Sequence, residues 1–371
     1  MGPATHYYDL PAPLSLRRGG VLNGVRMAFE SWGERSAADD NTLLILTGLS
    51  PGAHAASSPA DPEAGWWEEM IGPGKAIDTD RWHVLCINSL GSCKGSTGPA
   101  SIDPATGQPW RLNFPELTLE DVASAAAAVL DGLGIAHPQA IIGPSMGGMS
   151  TLAFASLQPG RCKHLALIST AAQATPFAIA VRSLQRELVR SDRGWEHGNY
   201  ADGAQVRTGM RLARKLGMST YRSPQEWQSR FGRARQPEAP AEPFGPEFAI
   251  ESYLEVHAER FIGAFDPNCY LYLSRAMDWF DLADHAGGDN QAALQRLQLD
   301  SALVIGVATD FLFPLWQQEA LARGLTEAGT QVDWHPLPSP MGHDSFLVDI
   351  ERFGPPLAQW LATLETNRAK R

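Results

Sequence analysis

The chain has 371 residues, 44% of them hydrophobic and 19% charged, with a formal net charge of −11 and a pI near 5.4. That length suits one large α/β domain or two ordinary ones, and the acidic balance speaks against nucleic acid or an anionic membrane as the main partner. It leaves room for an anionic small molecule, because a local cluster of arginines can bind one within an acidic protein.

No run approaches the ~20 apolar residues of a membrane span, and Met1 to Pro13 lacks a basic stretch followed by an apolar one, so no secretory signal is expected. The four cysteines, Cys86, Cys93, Cys162 and Cys269, form no C-x-x-C pair. Neither a disulfide framework nor a metal site is expected, and free thiols point to a reducing, cytoplasmic setting.

In chain order, Val25 to Trp32 (VRMAFESW) alternates apolar and polar residues, which predicts a half-exposed strand. Asn41 to Thr47 and Trp82 to Asn88 are apolar runs that read as central strands, the second followed by a long stretch rich in Gly, Ser, Thr and Pro. Thr118 to Leu133 is alanine-rich with Glu120 and Asp121 in its first turn, a good helix start. Gln139 to Ile142 reads as a buried strand, Met146 to Leu157 as a helix, and His164 to Ile168 as a further strand.

From about Thr175 to about Gln298 strand-like runs vanish and helix-like segments rich in arginine and aromatics take over, broken by loops around Arg235 to Pro246 and Gly287 to Asn290. Alternation then resumes with a strand at Ala302 to Ala308, a helix from Leu315 to about Gly324, a strand at Gln331 to His335 and a helix from about Pro355. Strand-and-helix alternation on both sides of the interruption implies one mostly parallel sheet covered by helices on both faces. The expected division is an α/β core formed by residues 1–174 and 299–371, with a helical lid, residues 175–298, inserted into it.

Between the strand at Gln139 and the helix at Met146 stands Gly143-Pro144-Ser145-Met146-Gly147. A G-x-S-x-G at a strand-to-helix junction is the signature of a nucleophile elbow, where the turn is too tight for side chains beside the serine. Such a serine needs a base, and the base needs an orienting acid, in the chain order Ser, Asp or Glu, His. Asp310 follows the strand at Ala302, and His343 follows the strand ending near His335. The loop Thr47-Gly48-Leu49-Ser50-Pro51-Gly52 occupies the place that supplies one oxyanion-hole amide, from Leu49, and Met146 would supply the other. Of the remaining histidines, His6, His137, His197 and His285 read as solvated, whereas His54 stands apart in the loop after the second strand.

These residues, with Gly65-Trp66-Trp67, the segment Ile71 to Asp80, Gly91 to Pro99, Ser145-Met146-Gly147-Gly148-Met149 and Asp310-Phe311-Leu312-Phe313-Pro314, resemble the homoserine O-acyltransferases of the α/β-hydrolase superfamily. The resemblance covers almost the whole chain. It implies an α/β-hydrolase fold, acylation of Ser145 by an acyl-CoA, His343 as base and Asp310 as its orienting acid. It also implies that an arginine of Arg211-Leu212-Ala213-Arg214, taken as Arg214, holds the carboxylate of a hydroxy amino acid and Asp344 its ammonium. The competing reading of Arg214 is a solvated charge beside Arg211 and Lys215.

The family usually carries Thr-Gly-Asp-Ser-His where this chain has Thr47-Gly48-Leu49-Ser50-Pro51. That departure, with Ser-Leu-Gly-Ser-Cys before Lys94 and Ser-Leu-Gln-Arg at Ser183 to Arg186, is similar to a subgroup acting as serine O-succinyltransferases. Gly48, Leu49, Ser50 and Pro51 would then set the choice of amino acid, and Arg182 or Arg186 would meet the succinyl carboxylate. Succinyl-CoA would be a co-substrate, with no resident cofactor, and an exposed apolar stretch of the lid would make a homodimer. The rival readings are a homoserine O-succinyl- or O-acetyltransferase, a simple serine hydrolase and a non-catalytic binding protein.

Overall fold

A computed structural model describes residues 4–237 and 243–368. The chain begins with strands β1 (His6–Asp9), β2 (Leu14–Ser15), β3 (Val21–Leu22) and β4 (Arg26–Trp32), followed by β5 (Thr42–Leu46). Two short strands, β6 (Ile71–Gly72) and β7 (Ile77–Asp78), pair with each other before β8 (His83–Ile87). Then come α1 (Leu119–Gly132), β9 (Ala140–Pro144), α2 (Met146–Leu157) and β10 (His164–Ile168). Six helices follow without a further strand: α3 (Pro176–Ser191), α4 (Arg207–Tyr221), α5 (Pro224–Phe231), α6 (Ala249–Glu259), α7 (Pro267–Trp279) and α8 (Asn290–Arg296). The chain closes with β11 (Ser301–Val307), α9 (Leu315–Glu327), β12 (Gln331–Leu337), α10 (Ser345–Val348) and α11 (Ile350–Arg368).

Eight strands form one sheet in the order β1-β4-β8-β5-β9-β10-β11-β12. The pairs β1–β4 and β4–β8 are antiparallel, and every pair from β8 to β12 is parallel. The near-continuous apolar strands make this possible, since successive residues feed two separate cores. Leu44, Leu46, Ile141, Leu165 and Leu167 face the core shared with α1, α2 and α9. Leu43, Ile45, Ile142, Ala166 and Ile168 face the core closed by Phe353, Leu357, Trp360 and Leu361 of α11. The expected α/β-hydrolase architecture, a mostly parallel sheet with helices on both faces, is what the chain adopts. Helix α1 starts where the sequence signals it, because Thr118 and Asp121 cap each other's backbone reciprocally.

Three expectations are corrected. Strand β4 is not half-exposed: Met27, Ala28, Phe29 and Glu30 are all buried, because β1 lies outside it as the sheet edge. The C-terminal helix starts at Ile350, so Pro355 and Pro356 lie inside it rather than at its first turn. His285 is not free in solvent: its Nε2 lies 3.1 Å from Glu120 in a part-buried contact. Of the expected loop around Arg235 to Pro246, residues 238–242 lie outside the described residues. No helix among the described residues is long and apolar enough to cross a membrane.

Candidate active site

The parallel order brings the carboxyl ends of β9, β11 and β12 to one edge, where open α/β sheets place their ligands. Ser145 sits between β9 and α2 with φ 55° and ψ −123°, a strained conformation for a residue with a side chain. The glycines around it are sterically required. A Cβ on Gly147 would collide with the carbonyls of Leu46 and Thr47, and one on Gly143 would meet Thr151 and the carbonyl of Gly147. The strained turn is held by Ser145 N–H donating to Ile168 O (2.9 Å) and by the Thr170 hydroxyl donating to Ser145 O (2.7 Å).

The structure brings Ser145, His343 and Asp310 together. His343 Nδ1 lies 2.7 Å from Asp310 Oδ2, and Ser145 Oγ lies 2.8 Å from His343 Nε2. The carboxylate can only accept, so Nδ1 carries the proton and Nε2 accepts from the serine hydroxyl. The other Asp310 oxygen accepts from Leu312 N–H and Phe313 N–H, each at 2.9 Å. The imidazole stacks on Phe313 (centroids 5.0 Å, 21°) and meets the edge of Phe346. Burial pushes the His343 ring towards its neutral form, but the Asp310 charge and hydrogen bond outweigh this and hold its pKa above the ordinary histidine value.

Neither the Leu49 nor the Met146 amide donates to another protein group among the described residues. Met146 opens α2, where a helix leaves its first N–H groups unpaired. Gly48, Leu49, Ser50 and Pro51 all line the cavity of about 160 Å³ that contains Ser145 and His343. Asn88 Nδ2 donates to Pro51 O (3.4 Å) and Trp66 Nε1 to Gly52 O (3.1 Å), which pins this loop from behind. His54 pins its far end, with Nδ1 2.9 Å from buried Glu30 and Nε2 3.0 Å from Glu63 O.

The inserted helices close the cavity from the other side. Arg211 and Lys215 both pair with Glu255, whereas Arg214 lines the cavity, stacks over Phe261 (4.7 Å) and leaves a buried Nε without a partner. Asp344 lines the same cavity and is steadied by Arg222 at 3.6 Å. Burial raises the Asp344 pKa, opposed by the neighbouring His343, Arg222 and Arg214 charges. The solvated-charge reading of Arg214 therefore fails.

Arg182 and Arg186 part company. Arg182 is buried, lines the cavity, donates from Nε to Asp278 (2.5 Å) and has an unpartnered Nη2. Arg186 binds the other Asp278 oxygen at 2.7 Å and lines a different cavity, so its expected place beside the acyl group is corrected.

Comparison with known proteins places the chain in a family. Residues 41–336 match the alpha/beta hydrolase fold family. A serine O-succinyltransferase of Stenotrophomonas maltophilia (strain K279a) is 56% identical over 98% of each chain. An L-serine/homoserine O-acetyltransferase of Streptomyces lavendulae is 57% identical over 97% of this chain and 98% of its own. This chain belongs to the homoserine O-acyltransferase family of the α/β-hydrolase superfamily. A solved family structure, homoserine O-acetyltransferase from Bacillus anthracis, superposes with a TM-score of 0.89 and 27% identity, covering 97% of this chain and 98% of that one.

Several residues that complete this acyltransferase cavity carry no sequence signal of their own. Asp278, Arg222, Tyr221 and Phe261 stand in ordinary helical or turn contexts, and only the packing of α3, α4, α6 and α7 brings them to the site. Trp66 belongs to the Gly65-Trp66-Trp67 segment that helped carry the family resemblance, yet its hold on the loop at Gly52 becomes visible only here.

Proposed function

We propose that this protein transfers a succinyl group from succinyl-CoA to the hydroxyl of L-serine by a ping-pong mechanism through succinyl-Ser145. The observation that carries the reading is the company Ser145 keeps: Arg214 and Asp344 face it across the cavity, and Arg214 has a buried donor without a protein partner. A hydrolase needs neither group for water. An amino acid needs both, a fork for its carboxylate and an acid for its ammonium.

In the first half-reaction, Ser145 Oγ attacks the thioester carbonyl while His343 Nε2 takes the hydroxyl proton. The oxyanion forms at the Leu49 and Met146 amides, which contribute about 3 kcal/mol each. Collapse expels coenzyme A as the thiolate, which takes the proton back from His343. In the second half-reaction, His343 deprotonates the amino-acid hydroxyl, whose oxygen attacks the ester. Ser145 Oγ then leaves with the proton. The helices of residues 175–298 act as the lid that keeps water from the acyl-enzyme. Arg182, with one N–H group free, meets the succinyl carboxylate.

The Streptomyces lavendulae relative's name supports a second reading, an acetyl donor with serine or homoserine as acceptor. Thiol-release assays crossing succinyl-CoA and acetyl-CoA with L-serine and L-homoserine separate the two. The succinyl–serine pair is expected to turn over fastest, and faster turnover with homoserine or with acetyl-CoA overturns the corresponding half of the proposal. We also infer a cytoplasmic homodimer, with exposed Phe177, Ile179 and Leu184 of α3 as apolar surface to cover. Light scattering that returns a mass of 40.2 kDa, that of a single chain, would refute the dimer.

A further inference from the structure

Helices α3 and α7 form a layer with a cavity on each side. Arg182 and Gln185 of α3, with Tyr270 and Met277 of α7, face Ser145. One turn away on the same helices, Arg186, Arg190 and Arg275 enter a second cavity of about 500 Å³, walled by Phe114, Trp195 and Tyr272. No residue lines both cavities.

The second cavity concentrates positive charge in a protein of net charge −11. Arg190 has no carboxylate within 4 Å among the described residues and rests over Trp195. Arg275 lies between Tyr272 and Trp279, with its nearest carboxylate, Glu116, 3.9 Å away and also bound to Arg18 at 3.0 Å. Arg186 shares Asp278 with Arg182. Glu116 also lines this cavity, and with Asp278 on Arg186 it sets two carboxylates against three guanidiniums; the remaining positive charge attracts anions, and the planar forks match phosphate oxygens in pairs. The volume falls in the range of small-molecule sites, and a bare phosphate would fill little of it. The aromatic walls suit a flat ring attached to the phosphate.

We propose that this cavity is a second binding site, for a phosphorylated nucleoside, lying outside the Ser145 cavity and linked to it through Asp278. A phosphate that engages Arg186 leaves Asp278 to Arg182 alone, which draws Arg182 away from the acyl donor; this link, unlike the site, rests on the proposed succinyl chemistry.

The chemistry has two sources, a free nucleotide or the nucleotide end of coenzyme A. Calorimetric titration of the full-length protein with ADP tests it without turnover, so failure of the proposed reaction and failure of this site are read separately. One saturable ADP site per chain is expected, weakened at least tenfold in the Arg190→Gln/Arg275→Gln double variant and only partly restored with Lys at both positions, which returns the charge without the fork. An unchanged thermal midpoint in the double variant shows that the loss is not unfolding. Titrating ADP after saturation with coenzyme A assigns the source: abolished binding gives the site to the coenzyme's nucleotide end, and retained binding gives it to a free nucleotide. Absence of saturable ADP binding, or equal binding in the glutamine double variant, overturns the proposal.

Discussion

The two sides of the Ser145 cavity are built on opposite principles. On the sheet side the side chains of the triad are already paired, and only the Leu49 and Met146 amides stay open: Asp310 accepts three hydrogen bonds and His343 uses both ring nitrogens. On the helical side Arg182 and Arg214 each bury a donor that no described group satisfies. An unmade hydrogen bond at a buried donor costs about 1–3 kcal/mol, more for a charged group. Under the proposed reaction, the carboxylates of the substrates supply the missing partners. On the proposed reaction, the sheet side is preorganised for charge that develops during the chemical steps, and the helical side is left incomplete for charge that the substrates bring.

The comparison breaks most visibly at the sheet side. Ser145→Ala should abolish the burst of free thiol and lower turnover by about 10⁶-fold, because no other group accepts the acyl chain. A burst that survives in this variant would remove the acyl-enzyme. Asp310→Asn should cost about 10⁴-fold, since an amide in place of the carboxylate favours the wrong imidazole tautomer. Steady-state rates with the fold checked by circular dichroism measure both.

The helical side should respond differently, by substrate rather than by chemical step. Arg214→Gln should lower kcat/KM for the amino acid by about 100-fold, the worth of a charge-assisted pair, and leave the thiol burst at its wild-type amplitude. Loss of the burst would place Arg214 in the first half-reaction instead. Arg182→Gln should raise KM about tenfold for succinyl-CoA, a charge-assisted contact on the same scale, with little change for acetyl-CoA. An equal rise for both donors would show that Arg182 supports the pocket without meeting the acyl carboxylate.

The sheet side was legible in the sequence because its residues are fixed by backbone demands. Gly143 and Gly147 have no room for a Cβ, and the order Ser145, Asp310, His343 follows from the strand order. The helical side was not legible in the same way. Arg182 and Arg186 stand one turn apart on α3, offset by only about 40° at 3.6 residues per turn, yet a single helical layer separates two cavities and that offset sends them to different ones. Asp278 joins them from 96 residues away. Likewise Glu120 reaches His285 across 165 residues, so a loop-like context misread as solvent-facing became a part-buried pair. Pro355 pointed to a helix start for a local reason, the preference of proline for a first turn. The apolar stripe from Phe353 to Leu364 holds the helix through it.

The smallest effect is also the most direct probe of how the sheet side is charged. His343 must be neutral to take a proton, so kcat/KM should rise with pH through its pKa. Burial favours the neutral ring, but the Asp310 charge and hydrogen bond win, and the folded pKa lies above the ordinary value of 6.5. The acid limb of kcat/KM should therefore have its midpoint above pH 6.5. In Asp310→Asn the opposing charge is gone while burial remains, so the midpoint of the residual activity should fall below that of the wild type. Arg214→Gln should move the same midpoint far less, because among the charges that set the His343 pKa Asp310 ranks above every other. A midpoint that stays fixed in Asp310→Asn would mean that the limb reports another group, and that the charge on the sheet side is not held by the pair the geometry displays.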